Sequence, residues 1–92
     1  MTYEVKQTRR FSRQYKKLQN NVAADVDEAI SIVAGSPTLG ERKKRDLADL
    51  LVYKFRSRSQ MFLLGYTLDD GLRLVYLEAV GPHENFYRDL KR

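Results

Sequence analysis

Apolar positions recur with two different periods along the chain, and the change of period divides it. At the N-terminus Tyr3 and Val5 alternate with polar neighbours, which predicts a short strand over Thr2 to Gln7. Phe11, Tyr15 and Leu18 then recur at i, i+4 and i+7, the spacing of one helix face, with Thr8 ahead of them as N-cap. Asn20-Asn21 breaks this helix, and Asn21 caps a second one. The stripe of that helix is Val22, Val26, Ile30 and Val33, widened by Ala23, Ala29 and Ile32. Gly35 followed by Ser36-Pro37 stops it. Two helices joined by about two residues pack as an antiparallel hairpin.

Residues 36 to 49 read as a loop with one short turn around Asp46 to Asp49. From Leu50 the period becomes two: Leu51, Tyr53 and Phe55 alternate with Val52, Lys54 and Arg56. Met61 to Leu68 is a second strand of this set and Leu72 to Val80 a third. Both are apolar at nearly every position, as central strands are. Asp69-Asp70-Gly71 between them predicts a hairpin turn in which Asp70-Gly71 supplies positive φ. Gly81-Pro82 ends the sheet, and His83 to Lys91 reads as a short terminal helix or turn. The order is β-α-α-β-β-β with a helical tail. It predicts an α+β fold of two layers, an antiparallel sheet packed on a helix hairpin, as a single domain over residues 1–92. The hairpin covers one sheet face and leaves the other comparatively open.

Composition narrows the function classes. Ninety-two residues allow one domain, not two. The absence of cysteine excludes disulfide scaffolds, thiolate metal sites and a cysteine nucleophile, and a lone histidine removes His-rich metal sites. No metal or cofactor is expected. No apolar run approaches the roughly 18–20 residues of a membrane span, and MTYEVKQTRR has no apolar signal core. A soluble, cytoplasmic chain with no membrane partner is expected.

Charge adds more. Seventeen Lys and Arg against 12 Asp and Glu give +5, which favours an acidic or polyanionic partner. The surplus is blocked. Lys6, Arg9, Arg10, Arg13, Lys16 and Lys17 come without an acid among them, whereas Asn21 to Gly40 holds Asp25, Asp27 and Glu28 without a base. Arg42-Lys43-Lys44-Arg45 is a run, read by itself as a solvated face. Lys54, Arg56 and Arg58 recur at every second position, so a strand would project all three from one face, along the open side of the sheet or its rim.

The element order, the basic first helix, the strand Tyr53-Lys54-Phe55-Arg56 and above all Val80-Gly81-Pro82-His83-Glu84-Asn85-Phe86-Tyr87 resemble the RelE/ParE superfamily, the toxins of bacterial type II toxin–antitoxin systems. The likeness in layout spans nearly the whole chain. Its sharpest part is the end, where a Val-Gly is followed by a basic residue or His and an aromatic four positions later. The resemblance implies one of two activities. RelE-like members cleave mRNA in the ribosomal A site without a metal; ParE-like members inhibit DNA gyrase and are not nucleases. It also implies a cognate acidic antitoxin as partner, with DNA contacted only through that antitoxin.

Metal-free RNA cleavage turns the 2′-hydroxyl on the adjacent phosphate. It needs a base for that hydroxyl, cations for the phosphorane and an acid for the departing 5′-oxygen. The resemblance maps this chemistry onto His83 as acid or base, Lys54 and Arg56 as phosphate ligands, and Tyr87 as stacking or proton-transfer partner. It assigns RNA contact to Arg9, Arg10, Arg13, Lys16 and Lys17, and to Arg58, Arg88, Lys43 and Lys44. One departure stands out. RelE-like toxins often carry an Arg in the next strand, where this chain has Leu63; Arg58 or Arg88 would have to replace it. That absence favours the gyrase alternative. A third reading is a binding module without toxicity. Each residue also has a plainer role: His83 as a helix cap, Lys54 and Arg56 as a charged strand face that resists aggregation, Glu84 and Asp89 as helix-end charges. Tyr53, Phe55, Phe11, Tyr15 and Leu18 read as core, as does Phe86, with Tyr87 facing the other way.

Overall fold

The computed structural model describes residues 2–43 and 49–90. The candidate Lys44, Asp46 of the predicted turn, and Lys91 at the end of the predicted tail lie outside the described residues. Along the chain come β1 (Glu4–Gln7), α1 (Arg9–Lys16), α2 (Asn20–Gly35), a 3-10 turn (Pro37–Leu39), β2 (Glu41–Arg42), β3 (Leu51–Ser57), β4 (Gln60–Asp69), β5 (Leu74–Pro82) and α3 (His83–Leu90). The strands form one five-stranded sheet in the order β1-β5-β4-β3-β2. The α+β class, the helix hairpin and the central position of β4 and β5 are as the periodicity predicts.

Five boundaries or pairings differ. The sheet is mixed, because β1 pairs parallel to β5, with Glu4 opposite Leu74; a period of two specifies a face and carries no strand direction. The predicted 36–49 loop contains the 3-10 turn and β2, whose two residues pair with Leu51 and Val52 and are too short to show a period. Gln19, not Asn21, is the N-cap of α2. The β4–β5 turn has its positive φ at Arg73 (55°), and no glycine has a positive φ. There the Asp69 carboxylate accepts the Leu72 N–H at 3.0 Å, an Asx turn that moves β5 to a later start than Leu72. At its other end β5 runs through Gly81-Pro82, which pair with Leu63 and Phe62, so the sheet continues through the predicted stop.

Thr8 caps α1 as expected: the Phe11 N–H donates to Thr8 Oγ1 at 3.2 Å. The same hydroxyl contacts the Leu77 and Glu78 carbonyls, fastening α1 to β5. Beneath α1 and α2, Leu51, Phe62, Leu64, Tyr66, Val75, Leu77 and Val80 of the sheet meet Phe11, Val22, Val26, Ala29 and Val33 in the main core. Tyr15, Leu18, Tyr53 and Phe55 pack against that core half-buried. Two polar ties hold the layers. The buried Ser57 hydroxyl donates to Asp25 of α2 at 2.7 Å. The buried Tyr66 hydroxyl donates to the Pro37 carbonyl and accepts the Gly40 N–H at 2.9 Å, which turns the chain from the 3-10 turn into β2.

The opposite face is less open than the sequence suggests. A register shift between Gly65 and Tyr66, where Ala79 and Leu77 stand opposite them, leaves Glu78 as an extra residue and carries Ala79 to the second face. Val52, Leu63 and Ala79 make that face apolar at its centre, and α3 covers it with Phe86 and Leu90. Apolar surface of this kind leaves water when a helix lies over it, which is why the tail is a seated helix.

Candidate functional site

β3 alternates strictly. Leu51, Tyr53 and Phe55 point into the main core, so Val52, Lys54 and Arg56 project from the second face, beside the helix seated there. Val52 is buried, while Lys54 and Arg56 are exposed. β5 runs directly into α3, so its first residue, His83, stands at the rim of the same face. One helical turn later Tyr87 lies edge-on to His83, ring centroids 6.4 Å apart at 89°. Phe86, facing inward, meets Tyr87 edge-on at 5.1 Å. Phe86 is therefore core, as expected, and Tyr87 is half-buried at the edge of the helix.

β2 brings in two residues that periodicity did not single out for this position. Lys43 holds its ammonium 5.4 Å from the centre of the Tyr87 ring and 3.0 Å from a Glu41 carboxylate oxygen. Contact with the Tyr87 hydroxyl first, and with Glu41 second, raises the Lys43 pKa above the ordinary lysine value. Glu41 is held below the ordinary carboxylate range by its bond to Lys43, with Lys54 adding its charge. One mixed cluster of Glu41, Lys43, Tyr87 and His83 thus adjoins Lys54. The sequence names Lys43 as one cation of a run and an RNA contact, without Glu41 or Tyr87 as its neighbours. The strand that aims it is two residues long, and that is too little pattern to read.

A groove of about 280 Å³ opens beside His83, lined by Ser59, Gln60, Met61 and Glu84. Arg56 lines a different groove, at the β3 edge, with Asp25, Glu28 and Ile32 of α2 and with Tyr53 and Phe55. Among the described residues no three of His, Cys, Asp and Glu gather as metal ligands.

The remaining predicted residues lie elsewhere. Arg58 is not in line with Lys54 and Arg56. It and Ser59 form the two-residue β3–β4 turn, with φ of 53° and 66°, and Arg58 lines a groove with Lys17, Leu18 and Gln19 on the helix-hairpin side. The alternation ends at the turn, so the third cation leaves the face. Arg88 is on the exposed side of α3, bonded to Asn85 at 2.9 Å with Asp89 at 3.7 Å. Arg9, Arg10, Arg13, Lys16 and Lys17 are exposed on or just after α1, across the sheet from His83. Leu63, where the resemblance would have an Arg, is completely buried beneath α3 with Val52, Ala79 and Phe86.

Residues 5–91 match a family model described as the ParE-like toxin of type II bacterial toxin–antitoxin systems. The chain belongs to this family. Among solved structures, this ParE-like toxin is similar to a chain of the toxin–antitoxin complex RelBE2 from Mycobacterium tuberculosis, with 26% identity, a TM-score of 0.75, and coverage of 90% of this chain and all of that one. A chain of the intact E. coli RelBE complex matches with 26% identity and a TM-score of 0.69 over 86% of this chain and 94% of its own. A free mutant of E. coli toxin RelE, at 24% identity, shares the fold with a TM-score of 0.77 over 99% of this chain and 92% of that one. No curated protein matches. The chain is thus a toxin with the RelE fold.

Proposed function

We propose that this toxin is a ribosome-dependent, metal-free endoribonuclease that cleaves mRNA and so arrests translation in the cytoplasm. The observation that carries the reading is the edge-on contact of His83 and Tyr87, one turn apart, at the rim of the sheet face from which Lys54 and Arg56 project. In this reading Lys54 and Arg56 hold the scissile phosphate, Arg56 as a planar fork and Lys54 as a point charge. His83 moves the proton of the 2′-hydroxyl or of the leaving 5′-oxygen, the work for which imidazole suits neutral pH. Tyr87, steadied by Lys43, offers its ring edge to an unstacked base. The cations of α1, with Arg58 at the hairpin-side groove, dock on ribosomal RNA through phosphate contacts, with the salt dependence such contacts bring.

The similar RelBE structures are toxin–antitoxin complexes, which supports a cognate antitoxin as partner here. An acidic one complements the net charge of +5. Contact with DNA would then run through the antitoxin.

Translation of a defined mRNA in vitro, with and without ribosomes, tests the reading. Cleavage that requires ribosomes, and is lost in folded His83→Ala and Tyr87→Ala proteins, is the expected result. Growth arrest that persists in His83→Ala with translation intact would exclude it. Inhibition of DNA gyrase is the second reading, favoured by the burial of Leu63, which leaves the phosphate site one cation short of the RelE-like pattern. It requires blocked supercoiling that is insensitive to His83 substitution.

A further inference from the structure

The sheet ends at β1, which has a neighbouring strand on one side only. The Glu4 N–H donates to the Arg73 carbonyl and the Thr8 N–H to the Leu77 carbonyl, both at 3.0 Å. Glu4, Lys6 and Thr8 thus turn their backbone groups toward β5, and in a ladder these groups alternate sides residue by residue. Those of Val5 and Gln7 therefore point out of the sheet. Among the described residues nothing outside the sheet bonds to them. The Tyr3 N–H, next in that series, is given to the Ala34 carbonyl at 2.9 Å, so the end of α2 bounds the free edge.

This edge is complementary to itself. Glu4 and Lys6 flank Val5 with opposite signs, both exposed, and pair with each other at 3.1 Å. When two copies pair antiparallel about a two-fold axis at Val5, Val5 stands opposite itself, Glu4 opposite Lys6 and Lys6 opposite Glu4. Val5 then occupies a hydrogen-bonded site and exchanges both backbone bonds with its counterpart. The flanking charges fall at non-hydrogen-bonded sites, where side chains come closest. The two intrachain ion pairs close into a ring of four alternating charges, and opposite charges across a ladder favour the pairing. On the helix-hairpin side Val5 is half-buried beside a groove of about 410 Å³, with Phe11, Tyr15 and Ile30 on its walls and Lys16 and Asp27 of opposite sign. The β3 edge lacks this property. A copy adding there about Phe55 would set Lys54 against Arg56, and like charges directly across a ladder repel.

We infer that β1 is a self-association edge, through which two copies of this chain join antiparallel at Val5 into a symmetric dimer with one sheet running across both. Each copy has one such edge, so the interface closes on its own two-fold axis and does not propagate. The inference goes beyond the toxin reading and holds whether or not the chain cleaves RNA. Lys54 and Arg56 lie on β3, three strands away from the axis, and stay uncovered in the dimer. The edge is short and each copy carries a net charge of +5, so the dimer is weak, with a Kd between about 10 μM and 1 mM.

The test is sedimentation equilibrium of the full chain up to about 1 mM, the upper end of that range. The molar mass should rise with concentration from 10.8 kDa toward twice that value. Glu4→Lys and Lys6→Glu each place like charges across the axis, and each alone should dimerise about tenfold or more weakly. An equimolar mixture of these two variants sets opposite charges across the axis again and should dimerise like the parent chain. So should the double variant Glu4→Lys with Lys6→Glu. In amide exchange read by NMR, the Val5 amide should slow by about tenfold from dilute to concentrated protein, while the Lys6 amide, already in the ladder with β5, should not change. A mass that stays at 10.8 kDa throughout overturns the inference and leaves the edge to a different partner. A dimer indifferent to both single variants, or a mixture as weak as either variant alone, places association on another face and overturns it as well.

Discussion

Gly65 stands against Phe86 with no room for a side chain: a Cβ on Gly65 would lie 2.8 Å from Phe86 Cζ and 3.3 Å from Leu50 Cδ1. Phe86 is the buried anchor of α3, so a hydrogen at one position of β4 seats the helix that carries His83 and Tyr87. Gly65→Ala should force Phe86 out of its seat and cost about 1–3 kcal/mol, as overpacking does. Denaturant titration would give the loss. Faster exchange confined to the α3 amides would locate it.

Leu63→Arg restores the cation that the RelE-like pattern has at this position, yet it should not restore function. Leu63 is completely buried among Val52, Ala79 and Phe86, and a guanidinium there would lack both water and a carboxylate. Unfolding or release of α3 is expected, with a stability loss of about 3 kcal/mol or more. A thermal melt unchanged from the parent protein would contradict this.

Tyr66→Phe removes one hydroxyl and leaves the Pro37 carbonyl and the Gly40 N–H without their partner. The expected cost is about 1–3 kcal/mol in a denaturant titration. Burial raises the Tyr66 pKa above the tyrosine value of 10.0, so the neutral phenol is the form the fold favours. Its contribution is complete below pH 10.0 and falls as pH rises through the folded-state pKa. The parent protein should therefore lose stability above pH 10.0 more steeply than the Phe variant.

Arg58 and Ser59 both hold left-handed backbone, which glycine adopts without strain. Ser59→Gly should stabilise the protein by about 1 kcal/mol. Arg58→Asn should gain less, because Asn tolerates that region only in part. Equilibrium unfolding measures both, and a loss of stability in Ser59→Gly would refute the strain.

What could be read from the sequence was whatever repeats along it. The stripe from Val22 to Val33 and the alternation from Leu51 to Arg56 each supply several residues of evidence for one element, and each element is found. The cap at Thr8 was legible because its chemistry is local. The cluster of Lys43 with Glu41 and Tyr87 was not, because it joins the end of a two-residue strand to a helix residue 44 positions later in the chain. The direction of β1 was not legible either, since alternation reports faces alone. Arg58 misled for a related reason: its place in the series Lys54, Arg56, Arg58 continues a period that the backbone abandons at the turn.

The parallel edge also fixes an order in time. β1 is made well before its ladder partner, which begins at Leu74, and the Thr8 hydroxyl that caps α1 contacts carbonyls of Leu77 and Glu78. At synthesis rates of about 5–20 residues per second, the first strand waits on the order of several seconds for its neighbour. His83 and Tyr87 follow immediately after that neighbour. A nascent toxin therefore has no completed sheet, and no aligned histidine, until β5 and the start of α3 have been translated.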